Sequence, residues 1–376
     1  MKISISIILF IFGIYGTQAQ ISAAVEEFAL PASLSESSGA IYFNNKLVTH
    51  NDSGGNNELY EVDLGTFLVS RTITISNATN VDWEDIAQDN TSIYIGDIGN
   101  NVSGNRTDLK IYKISKTDYL SMDTVTAETI SFSYSDQIDF TGSSANITEW
   151  DAEALVSFDA TNLILFSKNW VNGTTKGYLV PKLAGTYSLT PLATTLNSGG
   201  LITGGTFNPL TAKLYLVGYT NPTLQPFVWA SENFSGNDIF SGTNIQTSLP
   251  ALFGLEQAEA ITYVNENRYF ITSESLILGP FSEYAKLISF STNDVTLPVD
   301  SIDLEQDVVL FPNPVSNVLH IKNKQVNLVE IYDTKFTKLY SGFNRHIDMS
   351  DFSNGIYIVK INLNNDVRVI RKIVKK

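Results

Sequence analysis

The chain predicts an all-β protein: a β-propeller of five or six blades, followed by a small antiparallel β-sandwich. Three observations predict the ring. A strand, turn, strand pattern recurs five times before residue 292, and each copy continues into a third strand. No segment has the length and 3.6-residue apolar period of a crossover helix, which removes the alternating α/β folds. A strand near the N-terminus, Glu26 to Leu30, has no sequence neighbour to pair with and fits beside Lys286 to Phe290, where it would close the last blade. With 376 residues, 43% hydrophobic, the chain can bury a large core, which excludes wholesale disorder and a small disulfide scaffold.

The elements follow in order. Residues 1–20 hold Lys2, an apolar run from Ile3 to Tyr15 and the small-residue stretch Thr17-Gln18-Ala19-Gln20, the pattern of a secretory signal peptide. The run is shorter than the roughly 20 residues that span a bilayer, and no later run is long enough, so no transmembrane segment is expected in the mature chain. Residues 21–292 form the propeller region. Its inner and second strands begin at Glu36-Ser37-Ser38-Gly39 and Leu47, at Trp83-Glu84-Asp85 and Ile93, at Trp150-Asp151-Ala152-Glu153 and Leu163, at Ile202-Thr203-Gly204-Gly205 and Leu214, and at Glu256-Gln257-Ala258-Glu259 and Tyr269. Successive copies start about 48 to 69 residues apart, near or above a propeller period, and a sixth blade would fit in the loops after Thr117 or Asn233.

Charge marks the second module. From Asp303 onward eleven Lys+Arg face eight Asp+Glu, whereas thirteen face thirty-one before it. Residues 293–308 are polar, acidic and without strand alternation, as a linker would be. Residues 309–376 alternate as short strands at Val318 to Ile321, Leu328 to Tyr332, Ile356 to Ile361 and Val367 to Ile373, a sandwich pattern. Phe311-Pro312-Asn313-Pro314, Leu319-His320-Ile321, Val329-Glu330-Ile331-Tyr332-Asp333, Asn354-Gly355-Ile356-Tyr357 and the terminal Lys372-Ile373-Val374-Lys375-Lys376 stand in one order. Together they resemble the type A sorting domain of the Bacteroidetes type IX secretion system. The resemblance implies recognition by that machinery, with the cargo secreted or attached to the outer cell surface; an accessory domain binding glycan or cell wall is the alternative. Ser35 to Gly39, Thr49 to Gly54, Asp82 to Ala87 and Tyr94 to Asn101 also resemble a group of secreted bacterial propellers of largely uncharacterised function. By fold analogy these are similar to calcium-dependent phytase-like and lactonase-like propellers.

A propeller brings repeat-equivalent residues together at its axis. Glu36, Glu84, Glu153 and Glu259 stand at matching inner-strand starts, and Asp52, Asp97, Lys168 and Glu274 follow about 13 to 16 residues later at second-strand ends. Carboxylates gathered at one mouth must bind a cation, take up protons or stay solvated. Calcium fits an all-oxygen donor set, with Glu36, Asp52, Asp97, Glu259 and Glu274 as its ligands. Glu84 and Glu153 are the candidate acid/base pair for hydrolysing a phosphoester, lactone or glycoside, and Asn51, Asn100, Lys168 and Trp170 the candidate substrate contacts. The competing reading makes the repeated acids blade-stabilising groups bonded to backbone N–H. A non-catalytic surface module that binds carbohydrate or protein remains the alternative function.

Composition excludes several classes. The net charge of −15 disfavours nucleic acid as a partner. There is no cysteine, so thiolate metal sites and a cysteine nucleophile are ruled out. Asn51-Asp52-Ser53-Gly54-Gly55 resembles the nucleophile stretch of chymotrypsin-like proteases, but the nearby base, His50, is adjacent in the strand and points to the opposite face.

Overall fold

The computed structural model describes residues 21–22, 24–52, 54–249, 256–296, 308–322, 326–335, 337–363 and 368–376. Residues 1–20, read as a signal peptide, lie outside the described residues, as do 297–307 of the linker and Ser53. The chain divides into two compact units, Met1–Thr296 and Leu297–Lys376.

The first unit is a ring of five blades. Blade 1 runs from inner to outer strand as Ser37–Phe43, Lys46–Asn51, Glu58–Asp63 and Val69–Ile75. Blade 2 is Trp83–Gln88, Ser92–Asp97, Lys110–Ser115 and Glu128–Tyr134. Blade 3 has Asp151–Ser157, Asn162–Lys168 and Gly177–Pro181. Its chain then crosses over, and Gly185–Leu189 pairs parallel to the outer edge of blade 2, covering an otherwise open edge. Blade 4 is Leu201–Asn208, Lys213–Tyr219, Pro226–Glu232 and Thr243–Ser248. Blade 5 is Ala258–Tyr263, Arg268–Ser273 and Lys286–Ser291, and Val25–Ala29 adds the fourth strand antiparallel to Lys286–Ser291. The N-terminal strand thus closes the ring as the sequence predicts.

Closure is visible in the packing. Alternating apolar residues on each blade face fill five hydrophobic clusters, one for each gap between neighbours. Ile41, Val48 and Leu59 meet Trp83, Ile86 and Ile93 between blades 1 and 2, and Tyr94 and Ile111 meet Leu155 and Leu163 between 2 and 3. Val156 and Phe166 meet Ile202 and Leu216 next, and Val217 and Tyr215 meet Ile261 and Tyr269 after that. Leu47 and Val62 meet Phe270 and Leu287 across the seam between blades 5 and 1. Trp83 is fully buried in one such gap.

Each inner strand has a bulge near its start, a device that turns a strand and re-aims its side chains. The displaced residues are Ser38-Gly39, Glu84-Asp85, Glu153, Thr203 and Glu259. Close approach at the axis requires glycine: a Cβ on Gly204 would stand 2.4 Å from the Glu259 carbonyl oxygen.

The second unit is a sandwich. One sheet is Val309–Phe311, Val318–Lys322 and His346–Asp348, and the other is Lys338–Gly342, Val326–Tyr332, Gly355–Leu363 and Arg368–Lys375. Leu319, Ile321, Val329, Ile331, Ile347, Val359, Ile361 and Val369 form its core. The turn after Tyr332 lacks glycine, and the Asp333 carboxylate holds it by accepting from the N–H groups of Lys335 and Thr337, both at 2.8 Å.

Candidate axial acidic site

The bulges and second-strand ends face one mouth of the ring, and there the carboxylates meet. Asp52, Asp82 and Glu84 each place an oxygen within 4.8 Å of the others, and Glu84, Asp151 and Glu153 do the same. Glu84 belongs to both groups, so five carboxylates from three blades form one continuous set. Asp82, Glu84, Asp151 and Glu153 are buried.

Burial and mutual repulsion shape their protonation. Burial, then the charges of Asp52 and Asp151, push the Asp82 carboxyl up to about 7. Glu84 is raised well above the ordinary range by burial and by Asp52 and Glu153. Burial raises Glu153 as well, against the pull of Lys168. Glu259 reaches about 7 through burial, with Lys168 opposing and Asp52 adding to the rise. Glu274 is raised by burial, then by Glu259 and Asp52.

Lys168 answers them from among the buried groups. Lys168 pairs with Glu153, and its ammonium lies 4.8 Å from the Trp170 ring centre and 5.4 Å from that of Tyr219. Burial alone would lower its amine, but Glu153, Tyr219 and Glu259 hold it well above the ordinary value. Trp170 Nε1 donates to Asp151 Oδ2 at 2.8 Å, and the Asn100 N–H donates to Asp151 Oδ1 at 2.6 Å. These bonds fix the orientation of one carboxylate in the set.

The sequence-predicted residues are sorted by this geometry. Asp52, Glu84, Glu153, Lys168, Trp170, Glu259 and Glu274 are brought to the mouth. Asp97 is not among them: its Oδ1 accepts from Arg106 Nη2 at 2.8 Å and the Asp82 N–H at 3.2 Å, and Lys110 stands 3.8 Å from Oδ2. The matching of Glu36 with Glu84 is corrected by register, since the blade 1 bulge falls at Ser38-Gly39 and leaves Glu36 exposed before the strand. Glu36 lies close enough to add to the rise of Glu274. The side chains of Asn51 and Asn100 bond scaffold backbone, Asn51 Nδ2 to the Ser33 carbonyl at 2.9 Å and Asn100 Nδ2 to the Trp150 carbonyl at 3.0 Å. Asp82, Asp151 and Tyr219 were absent from the candidate set. Asp82 and Asp151 immediately precede or open inner strands, a position shared by two blades that would have flagged them; nothing local marks Tyr219. His50 is buried against Trp83, and burial lowers its imidazole to about 4, so it stays neutral.

Asp85 has a different task. Its buried carboxylate accepts from the N–H groups of Ile86 and Leu155 at 2.8 Å and of Gly205 at 3.2 Å, tying blades 2, 3 and 4 together at the axis. For this residue the blade-stabilising reading is the right one.

Residues 309–376 match a family model described as a secretion system C-terminal sorting domain. The C-terminal unit is a type IX sorting domain. It indicates export, with a secreted or cell-surface destination, and implies engagement with the secretion machinery. Among the described residues no helix is long and apolar enough to cross a membrane. No curated protein matches the chain. Among solved structures, it is similar to a DUF4623 family protein from Bacteroides eggerthii at 11% identity, covering 96% of this chain and 77% of that chain with a TM-score of 0.41. It is also similar to Trypanosoma rangeli sialidase, at 8% identity, 90% and 84% coverage and a TM-score of 0.35. Kuenenia stuttgartiensis hydrazine synthase gives 10% identity, 87% and 77% coverage and a TM-score of 0.35. The assignment as a propeller rests on the closed ring of blades in this chain.

Proposed function

We propose that the exported propeller binds a divalent cation, calcium by its donor chemistry, at the axial mouth, where the ion would complete a surface for a small-molecule or carbohydrate ligand. The observation that supports this is the set of five closely spaced carboxylates, most of them buried and raised, with Lys168 paired to one of them. All the acidic donors are oxygens and neither cysteine nor histidine joins the set, which suits a hard cation. Asp52, Asp82, Glu84, Asp151 and Glu153 would hold it, and the ion would replace the protons these groups otherwise retain. The test is the thermal midpoint of the full-length chain, treated with chelator and then titrated with calcium or magnesium. A saturable rise with calcium is expected, and an unchanged midpoint at millimolar calcium would count against the reading.

One observation favours hydrolysis as a second reading. Glu153 is held by Lys168 whereas Glu84 faces like charges, so the two carboxyls sit in unlike environments, as a base and an acid require. Glu84 would give a proton to a leaving group and Glu153 would act as the carboxylate. Chromogenic phosphoester, lactone and glycoside substrates, with and without calcium, test it. Turnover lost in Glu84→Gln supports catalysis, and calcium binding without turnover supports a recognition module.

A further inference from the structure

The opposite mouth of the ring is a second, chemically different opening. All five inner strands end there, at Phe43, Gln88, Ser157, Asn208 and Tyr263, and residues at or near these ends, with the hairpin tips of blades 2 and 3, line an open cavity of about 570 Å³. That volume lies within the range of small-molecule sites. The half-buried rings of Tyr42, Phe158, Phe207 and Tyr263 line it, with Lys116 and Lys182 among the polar groups.

The hydrogen bonds around this mouth leave one charged group available. Asp89 accepts at Oδ1 from the Thr91 N–H, the Thr91 hydroxyl and the Ser92 N–H, and at Oδ2 from the Tyr94 hydroxyl and Lys182. Asp159 is engaged by Thr161 and Asn162 in its own turn. Lys182 uses all three donors, on Asp89 Oδ2 at 3.0 Å, Ser157 Oγ at 2.8 Å and the Asp159 carbonyl at 2.7 Å. Lys116 has one such bond, to Gln88 Oε1 at 2.7 Å, and otherwise lies 4.2 Å from the Phe43 ring centre. It makes no ion pair among the described residues, and two of its three donors remain for a ligand. Burial lowers its amine to about 8, so it is still mostly charged at neutral pH and gains from an anionic partner.

We propose that this second mouth binds a small cyclic carboxylate, with the anionic group on Lys116 and one ring face against the aromatic wall. A charged acceptor matches the available ammonium donors, and the half-buried rings offer a stacking surface for a sugar or an aromatic ring. The acidic mouth across the ring repels such an anion, so the two openings select opposite charges. The inference does not rest on cation binding at the first mouth.

The test is calorimetric titration of the full-length chain with D-galacturonate and with 4-hydroxybenzoate, each beside its uncharged methyl ester. Saturable binding of at least one acid is expected, at least about tenfold weaker for its ester and for Lys116→Met. Uronate alone binding identifies an acidic sugar as the ligand type, and the benzoate alone an aromatic acid. No saturable binding of either acid at about 20 mM, well above the Kd of a weak ligand, overturns the proposal. So does an ester that binds as tightly as its acid, a comparison made on the unaltered chain in case Lys116→Met misfolds.

Discussion

At the scale of single residues, Glu84 and Lys168 set the balance of the axial mouth. Glu84 is shared by both carboxylate groups and feels only like charges among its largest electrostatic neighbours. Glu84→Gln replaces a carboxyl that folding forces to take up a proton with a group that is always neutral: at neutral pH the cation-free chain should melt a few degrees higher, on the order of 1 kcal/mol, while calcium affinity falls at least about tenfold. Differential scanning fluorimetry with chelator and with calcium reads both effects. Lys168 is buried and paired with Glu153. Lys168→Met leaves that carboxylate uncompensated and should destabilise the cation-free protein by about 3–5 kcal/mol in denaturant melts, with calcium recovering part of the loss. The acidic character of this mouth was legible in the sequence through Glu84, Glu153 and Glu259. The withdrawal of Asp97 was not, because its partner Arg106 lies in an irregular loop whose path no periodicity reports.

At the scale of elements, the blades themselves were readable. Apolar strands separated by turn residues gave the first three strands of each copy, and an N-terminal strand without a neighbour gave the closure beside Lys286–Ser291. The bulges escaped notice because a single displaced residue leaves strand composition unchanged, yet they decide which carboxylates reach the axis. That is why Glu36, spaced like its counterparts, ends up exposed while Ser38-Gly39 occupies the bulge. Asp85 shows what the bulge achieves structurally, since one side chain serves N–H groups on three blades. Asp85→Ala should cost roughly 3 kcal/mol or more, about 1–3 kcal/mol for each buried donor left without an acceptor, and Asp85→Asn less. Chemical denaturation of the three proteins checks the order.

Across the whole molecule, the raised carboxyls predict how stability depends on pH. A carboxyl whose folded value exceeds its unfolded value contributes stability that is complete below about pH 4 and is lost as pH rises through the folded value. For Asp82 and Glu259 that value is about 7. The thermal midpoint of the cation-free propeller should therefore fall between about pH 4 and 7, and saturating calcium should flatten or reverse the slope. The ring makes this coupling possible, because five inter-blade cores hold the acids in place against their repulsion.

The most direct measurement is calorimetric titration of the full-length chain with calcium at about pH 6.5, in two buffers of different ionisation enthalpy. The structure predicts one saturable site whose filling releases protons, and weakened binding in Glu84→Gln. Absence of saturable heat, or binding with no proton release and no dependence on Glu84, would contradict a cation seated among the axial carboxylates.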